Sequence, residues 1–171
     1  MTEYIVEPKS RKDLRDLANI LRNHLGLQNE LWIPIVELLD VLPELFDDFS
    51  YEIVSDDELP ANTHADTDIR TGHIRIKESV YERACDGEGR DRMTIAHEIG
   101  HYFTLCFCGF KLQRNFSKQK VPHFQDPEWQ AKCFAGEFLI PYLLTQNMKP
   151  DEIAVACGVS FDAAEYQYNH R

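Results

Sequence analysis

Hydrophobic residues recur at helical spacing in the first quarter of the chain and predict two helices. Ser10 suits the N-terminal cap of the first helix, and Gly26 suits its end. The apolar stripe of this helix consists of Leu14, Leu17, Leu21 and Leu25. The second helix is predicted to begin at Pro34 and to end at Pro43, because proline is favoured in the first turn of a helix and disfavoured in its interior.

Apolar and polar residues alternate in two segments that follow, and this pattern predicts β-strands. The first contains Phe49, Tyr51 and Ile53. The second is His73–Lys77, which follows a turn at Arg70–Gly72 and has one apolar and one basic face.

The second half of the chain is predicted to be mainly helical. Four helices are expected to begin at about Arg90, at Asp126-Pro127, at Pro150-Asp151 and at Ser160. The first should end near Cys106 and the second near Ile140, with a long loop at residues 107–126 between them. The fold class that follows is α+β, mostly helical with one small sheet.

Composition and charge narrow the possible partners. The chain has 171 residues, so one domain is the expectation, and 43% hydrophobic content excludes a mostly disordered chain. No stretch is apolar enough for a membrane span, and the first residues do not resemble a signal peptide, so we expect a cytoplasmic protein. The net charge of −11 disfavours phosphate backbones, so we expect no direct nucleic-acid binding, and it favours basic partners.

The five cysteines are expected to be reduced thiols. Their number is odd, and no two of them form a C-x-x-C pair. Cys106 and Cys108 could ligate a soft metal, but no second Cys/His pair stands at zinc-site spacing, so buried thiols are the preferred interpretation.

The strongest chemical signal is the H-E-x-x-H pattern formed by His97, Glu98 and His101. Two histidines four residues apart lie on one face of a helix and can reach the same metal ion. Glu98 stands one position away, where its carboxylate could take a proton from water that the metal polarises. Gly100 has no side chain, which would allow another element to approach this helix closely.

A third ligand is expected downstream, since zinc peptidases of this type combine two histidines with a glutamate on another helix. The candidates are Glu128, Glu137, His123 and Asp126. Glu128 is preferred because it lies in the first turn of the predicted 126–140 helix, where the helix dipole favours an ionised carboxylate. Ala131, one turn later, is small enough to let the two helices pack closely. Glu137 lies about 13 Å further along the axis and is interpreted as a surface carboxylate.

The two segments Arg92–His101 and Glu128–Pro141 together resemble the ImmA/IrrE family of metallopeptidases. The resemblance covers roughly residues 31 to 168, and it implies that His97, His101 and Glu128 hold zinc and that Glu98 is the general base. Manganese or another divalent ion could replace zinc. The sequence departs from the family pattern at Met93, Lys132 and Cys133, and the last two of these stand on the predicted helix that carries Glu128.

The resemblance also implies a fold, a division of the chain and a substrate. It implies a zincin-like metallopeptidase domain at residues 31–147, preceded by an N-terminal helical extension at residues 1–30. A C-terminal helix–turn–helix-like pair at residues 148–171 completes it. Family members commonly cut helix-turn-helix repressors, so the implied function is a zinc-dependent endopeptidase that relieves repression in a mobile element, a stress response or a toxin–antitoxin-like pair. The alternative is a metal-stabilised binding module that sequesters such a partner without cutting it.

Two further expectations concern the cleft. His123 and Tyr102 are candidate donors that could stabilise the oxyanion of the reaction. In zincin-like folds an edge strand borders the cleft, and we expect His73–Lys77 to be that strand, available to an extended substrate segment.

Overall fold

Eight α-helices and a three-stranded sheet form most of this computed structural model, which describes residues 4–107, 113–114 and 121–171. The helices are α1 (Arg11–His24), α2 (Leu38–Leu45), α3 (Glu78–Cys85), α4 (Gly89–His101), α5 (Pro127–Leu139), α6 (Tyr142–Thr145), α7 (Pro150–Cys157) and α8 (Phe161–Asn169). The strands are β1 (Tyr4–Ile5), β2 (Ser50–Val54), β3 (Ala65–Asp68), β4 (His73–Lys77) and β5 (Gln113–Arg114). The α+β prediction is confirmed.

The two N-terminal helices differ in how well the sequence predicted them. Helix α1 has the predicted cap, since the backbone N–H of Asp13 donates to the Ser10 hydroxyl. Helix α2 corrects the prediction: it begins at Leu38 rather than Pro34, and it continues through Pro43. Residues 35–37 form a turn instead. Packing explains the tolerance of Pro43, because three leucines of this short helix are buried and tertiary contacts stabilise it more than its own hydrogen bonds do.

The His73–Lys77 strand is central, and this corrects the expectation of an edge strand. The order of the sheet is β2-β4-β3, with β2 parallel and β3 antiparallel to β4. Both sides of β4 are therefore paired, and no substrate segment can add to it. The edge strand β3 has the sequence ADTD, which lacks the apolar alternation that revealed the other two strands. Its partner β4 supplies the apolar positions, with Ile74 and Ile76 fully buried.

Helices α4 and α5 pack against each other at the centre of the molecule, and α1 covers the other side of α5. This arrangement corrects the interpretation of Glu137 as a surface residue, because its side chain is fully buried beneath α1. Arg15 Nε lies 2.8 Å from Glu137 Oε2, and Arg11 Nη1 lies 3.1 Å from Oε1. The buried charge is tolerated because both of its oxygens are paired.

The C-terminal pair α7–α8 has the predicted boundaries and is fixed to α4. Gly158 ends α7 with a φ of +62°, and a Cβ at this position would lie 2.1 Å from the ring of Trp32. Arg92 of α4 stacks on the same ring and donates to the carbonyl oxygens of Gly158 and Ile33 at 2.9 and 2.8 Å. None of the helices in the described segments is long and apolar enough to cross a membrane.

Candidate metal centre

Helix α4 places His97 and His101 on one face, one turn apart. Their rings are nearly perpendicular, with centroids 4.6 Å apart. Both side chains are largely shielded, with 18% and 10% of their surfaces exposed, and their Nε2 atoms point towards α5. The helix begins after Glu88, whose side chain accepts from the backbone N–H of Arg90.

Helix α5 brings Glu128 to the two histidines. Asp126 is the N-terminal cap of this helix, and its carboxylate accepts from the backbone N–H of Glu128 at 3.0 Å. Glu128 Oε2 lies 3.3 Å from His97 Nε2, and Oε1 lies 3.3 Å from His101 Nε2. One donor atom from each of the three residues lies within 4.8 Å of the others.

This donor set fits a tetrahedral divalent ion. Two imidazole nitrogens and a carboxylate oxygen are donors that zinc prefers, and donor atoms that lie within 4.8 Å of one another can share one ion. Hydrogen bonding to His101 and then to His97 holds the pKa of Glu128 well below its usual value. The carboxylate is therefore ionised, which is the form that binds a metal.

The other nitrogen of each imidazole has an unusual environment. Nδ1 of His97 and Nδ1 of His101 are both buried, and neither has a hydrogen-bond partner among the described residues. Metal-bound histidines usually donate this N–H to a carboxylate or carbonyl, which fixes the orientation of the ring. Here the two rings pack edgewise against each other.

Thr67 of β3 holds Glu98, a role that no pattern in the sequence indicates. The Thr67 hydroxyl donates to Glu98 Oε2 at 2.7 Å, and Glu98 is only 6% exposed. Thr67 stands opposite Ile74 in the sheet and therefore shares its face, which packs towards α4. One oxygen of the predicted general base is thus fixed by the edge strand, and the other has no protein donor among the described residues.

Gly100 allows the two ligand-bearing helices to approach each other, as predicted. A Cβ at this position would lie 2.8 Å from the carbonyl oxygen of Ala131 and 3.2 Å from its Cα. Any larger residue at position 100 would therefore push against the backbone of α5. The close contact stands beside His101 on one helix and one turn after Glu128 on the other.

The α-helix ends at His101 and continues as a π-helix at Tyr102–Phe107, where a regular helix to Cys106 was predicted. The Thr104 hydroxyl donates to the Gly100 carbonyl at 2.8 Å, which supports the wider turn. Such wide turns are frequent at functional sites.

The remaining candidates lie outside the three-residue cluster. Tyr102 is 1% exposed and packs edgewise against Phe49, and burial raises its pKa to about 12. His123 is exposed in a 3₁₀ helix (His123–Gln125), with its ring 4.9 Å from that of Trp129. The oxyanion role of these two residues stays a prediction.

The cysteine pair is only partly described. Cys106 is partly buried, and its thiol donates to the carbonyl oxygen of Ile69 at 3.2 Å. Burial raises the pKa of this thiol to about 11. Cys108 lies outside the described residues, and the preference for ordinary thiols over a C-x-C metal site stays a prediction.

Comparison with solved structures shows a related fold in a larger protein. A Mycobacterium tuberculosis transcriptional regulator matches 90% of this chain with a TM-score of 0.59 and 18% sequence identity. The chain spans 45% of the length of that protein. None of the curated proteins compared matches the sequence.

The family comparison covers the sheet, both ligand-bearing helices and the C-terminal pair. The model of the peptidase family described as the IrrE N-terminal-like domain matches residues 51–169. This segment is more than half of the chain and includes all three residues of the His/His/Glu cluster. The chain therefore belongs to the IrrE N-terminal-like domain family of peptidases.

Proposed function

We propose that this protein is a zinc-dependent endopeptidase that cleaves a helix-turn-helix transcriptional repressor. The observation that carries the proposal is the convergence of His97, His101 and Glu128, whose donor atoms lie within 4.8 Å of one another and can share one divalent ion. Glu98 stands beside this site on the same helix, where a hydrolytic general base is needed. A purely structural metal site would have no use for this buried carboxylate.

The residues of the chain divide the work of hydrolysis. Zinc held by the three ligands would supply Lewis-acid activation of water and of the peptide carbonyl. Glu98 accepts the proton of the attacking water through its free oxygen and then delivers it to the leaving amine. Thr67 keeps the other oxygen of Glu98 fixed, so the base need not be reoriented before the reaction.

The side of β3 that faces away from β4 has no strand partner in the described part of the chain, and it is the place for an extended substrate segment. The backbone N–H of Lys77 donates to the carbonyl of His64, so these two residues form a hydrogen-bonded pair of the antiparallel ladder. Hydrogen-bonded pairs alternate with non-bonded pairs along such a ladder. The backbone groups of Ala65 and Thr67 then point away from β4. A substrate strand paired with them would run past the Glu98 carboxylate.

The repressor assignment rests on the family resemblance and on charge. The net charge of −11 attracts a basic partner, and DNA-binding proteins are basic. The similar solved structure is named as a transcriptional regulator, which is compatible with a regulatory setting. A bond in a loop or linker of the repressor is the expected target, because a substrate segment must be extended to enter the site.

The Glu98→Gln variant separates cleavage from sequestration. It keeps the shape of the side chain and removes the base, so the rate of hydrolysis should fall by about 10²–10⁴ while one zinc ion per chain remains bound. Glu82→Gln on α3 is the matched control, since Glu82 is an exposed carboxylate and should have no effect. Metal content is measured by mass spectrometry of the purified proteins.

The substrate itself can be found without naming it in advance. New N-termini are compared by mass spectrometry between cells that produce the wild type and cells that produce Glu98→Gln. The proposal expects a new N-terminus within a helix-turn-helix protein in the wild-type cells only. Relief of repression by both proteins, with the repressor intact, would establish the sequestering module instead.

A further inference from the structure

A pocket of about 280 Å³ opens beside the metal ligand His97, in the groove between α4 and α5. The two helices are antiparallel there: Gly100 of α4 contacts Ala131 of α5, and earlier residues of α4 meet later residues of α5. The groove therefore leads away from the His/His/Glu cluster towards the start of α4. Its volume is sufficient for one amino-acid side chain and too small for a larger ligand.

The pocket combines an apolar interior with a cationic rim. Met93 and Ala135 supply apolar surface, and Arg90 and Lys132 supply the charges. No aspartate or glutamate of the described part of the chain lines it. Lys132 stands one turn after Glu128, so its ammonium group lies on the side of α5 that borders the metal site.

Arg90 differs from the other arginines whose side chains the structure describes. Arg11, Arg15, Arg75 and Arg83 are paired with carboxylates, and Arg22 and Arg92 donate to backbone carbonyls. Within the described residues, neither Arg90 nor Lys132 forms an ion pair, although acidic residues outnumber basic ones by 29 to 18. Among the residues that the structure describes, this acid-rich chain thus leaves two cations without an ion pair at the mouth of the pocket next to the proposed metal site.

We propose that this pocket is a specificity pocket that accepts an acidic side chain of the substrate, adjacent to the scissile bond. The methylene groups of a glutamate match the apolar interior, and its carboxylate meets Arg90 and Lys132 at the rim. The acidic remainder of the surface attracts a basic substrate protein as a whole, while this pocket selects the register in which it is cut. The inference rests on the proposed function, because it assigns a position in that substrate.

Binding of small hydroxamates tests the pocket without a known substrate. The probes are the α-hydroxamates of N-acetylglutamate and N-acetylglutamine, which have the same shape and differ in charge. Binding to the zinc-loaded protein is measured by calorimetry at low and high salt. We expect the glutamate probe to bind about five- to tenfold more tightly, with the preference shrinking as salt increases.

Variants then assign the preference to the rim. Lys132→Met and Arg90→Met should each reduce the charge preference, and the double variant should abolish it. Both residues are exposed, so these changes should leave the fold intact. Lys12→Met on α1 removes a cation elsewhere and should leave the preference unchanged.

Each outcome has a distinct meaning. Equal binding of both probes to the wild-type protein, or a preference that survives in the double variant, would overturn the pocket assignment and leave the proposed peptidase intact. Failure of both probes to bind the zinc-loaded protein would instead refute an accessible catalytic zinc, and with it the proposed function.

Discussion

Replacement of Gly100 by alanine should weaken metal binding without touching a ligand. The added Cβ would lie 2.8 Å from the carbonyl oxygen of Ala131 and 3.2 Å from both its Cα and Cδ1 of Phe134. The nearest of these atoms belong to the backbone of α5, which cannot rotate away as a flexible side chain would. The two helices must therefore separate.

The size of this separation follows from the distances. Ordinary contact begins at 3.4 Å, so the oxygen at 2.8 Å must move by at least 0.6 Å. Metal–ligand distances tolerate changes of about 0.2 Å. Since His101 and Glu128 lie on opposite sides of this contact, we expect zinc affinity to fall by roughly 10- to 100-fold, the range seen when the surroundings of metal ligands are disturbed. Overpacking should also lower the free energy of unfolding by about 1–3 kcal/mol.

Competition with a chromophoric chelator measures the zinc affinity, and urea unfolding of the metal-free protein measures the stability. Gly26→Ala is the matched control: its φ of +71° strains any other residue, but nothing lies within 4 Å of the added Cβ. It should therefore lose stability and keep wild-type zinc affinity. A Gly100→Ala protein that binds zinc as tightly as the wild type would refute the argument that this contact sets the distance between the ligands.

Three further predictions concern buried polar groups. Glu137→Gln should lower the free energy of unfolding by about 3–5 kcal/mol in urea titrations, because Arg11 and Arg15 of α1 both lose their negatively charged partner. A change below about 1 kcal/mol would contradict this prediction. Thr67→Val should reduce kcat by about tenfold with KM and zinc affinity unchanged, whereas Thr67→Ser, which keeps the hydroxyl, should retain the wild-type kcat. Equal kcat values for the two variants would refute the role of the hydroxyl at Glu98. Burial raises the pKa of the Cys157 thiol from 9.0 to about 11, so unfolding between pH 9 and 11 releases a proton from this group. The free energy of unfolding should therefore fall by about 1.4 kcal/mol per pH unit in this range. Cys157→Ala should show a shallower alkaline decline in stability, and a decline identical to that of the wild type would contradict the assignment.

The chemical residues were accessible from the sequence because their spacing is set by the geometry of single helices. His97 and His101 are one turn apart on any α-helix, so their convergence needs no tertiary information. The Asp126-Pro127 start places Glu128 in a first turn, and the structure has that cap. Helix caps are likewise set by local sequence. The predicted caps Ser10, Gly158 and Ser160 all have those roles in the structure.

Other features escaped prediction because they depend on residues far apart in the chain. Strand β3 has no apolar alternation and is defined by its pairing with β4. The burial of Glu137 depends on α1, more than 120 positions away, because only that helix supplies Arg11 and Arg15.

The sequence by itself determined the α+β class, the helical pair at the C-terminus, and three side chains that could hold a metal ion, with a glutamate beside them. Tertiary structure decided which strand lies at the edge of the sheet, which side chain fixes Glu98, and how closely α4 and α5 approach. Periodicity and capping are local properties of a backbone, so they can be derived from neighbouring residues. Strand order and helix separation arise from packing between distant segments, which the linear pattern does not encode.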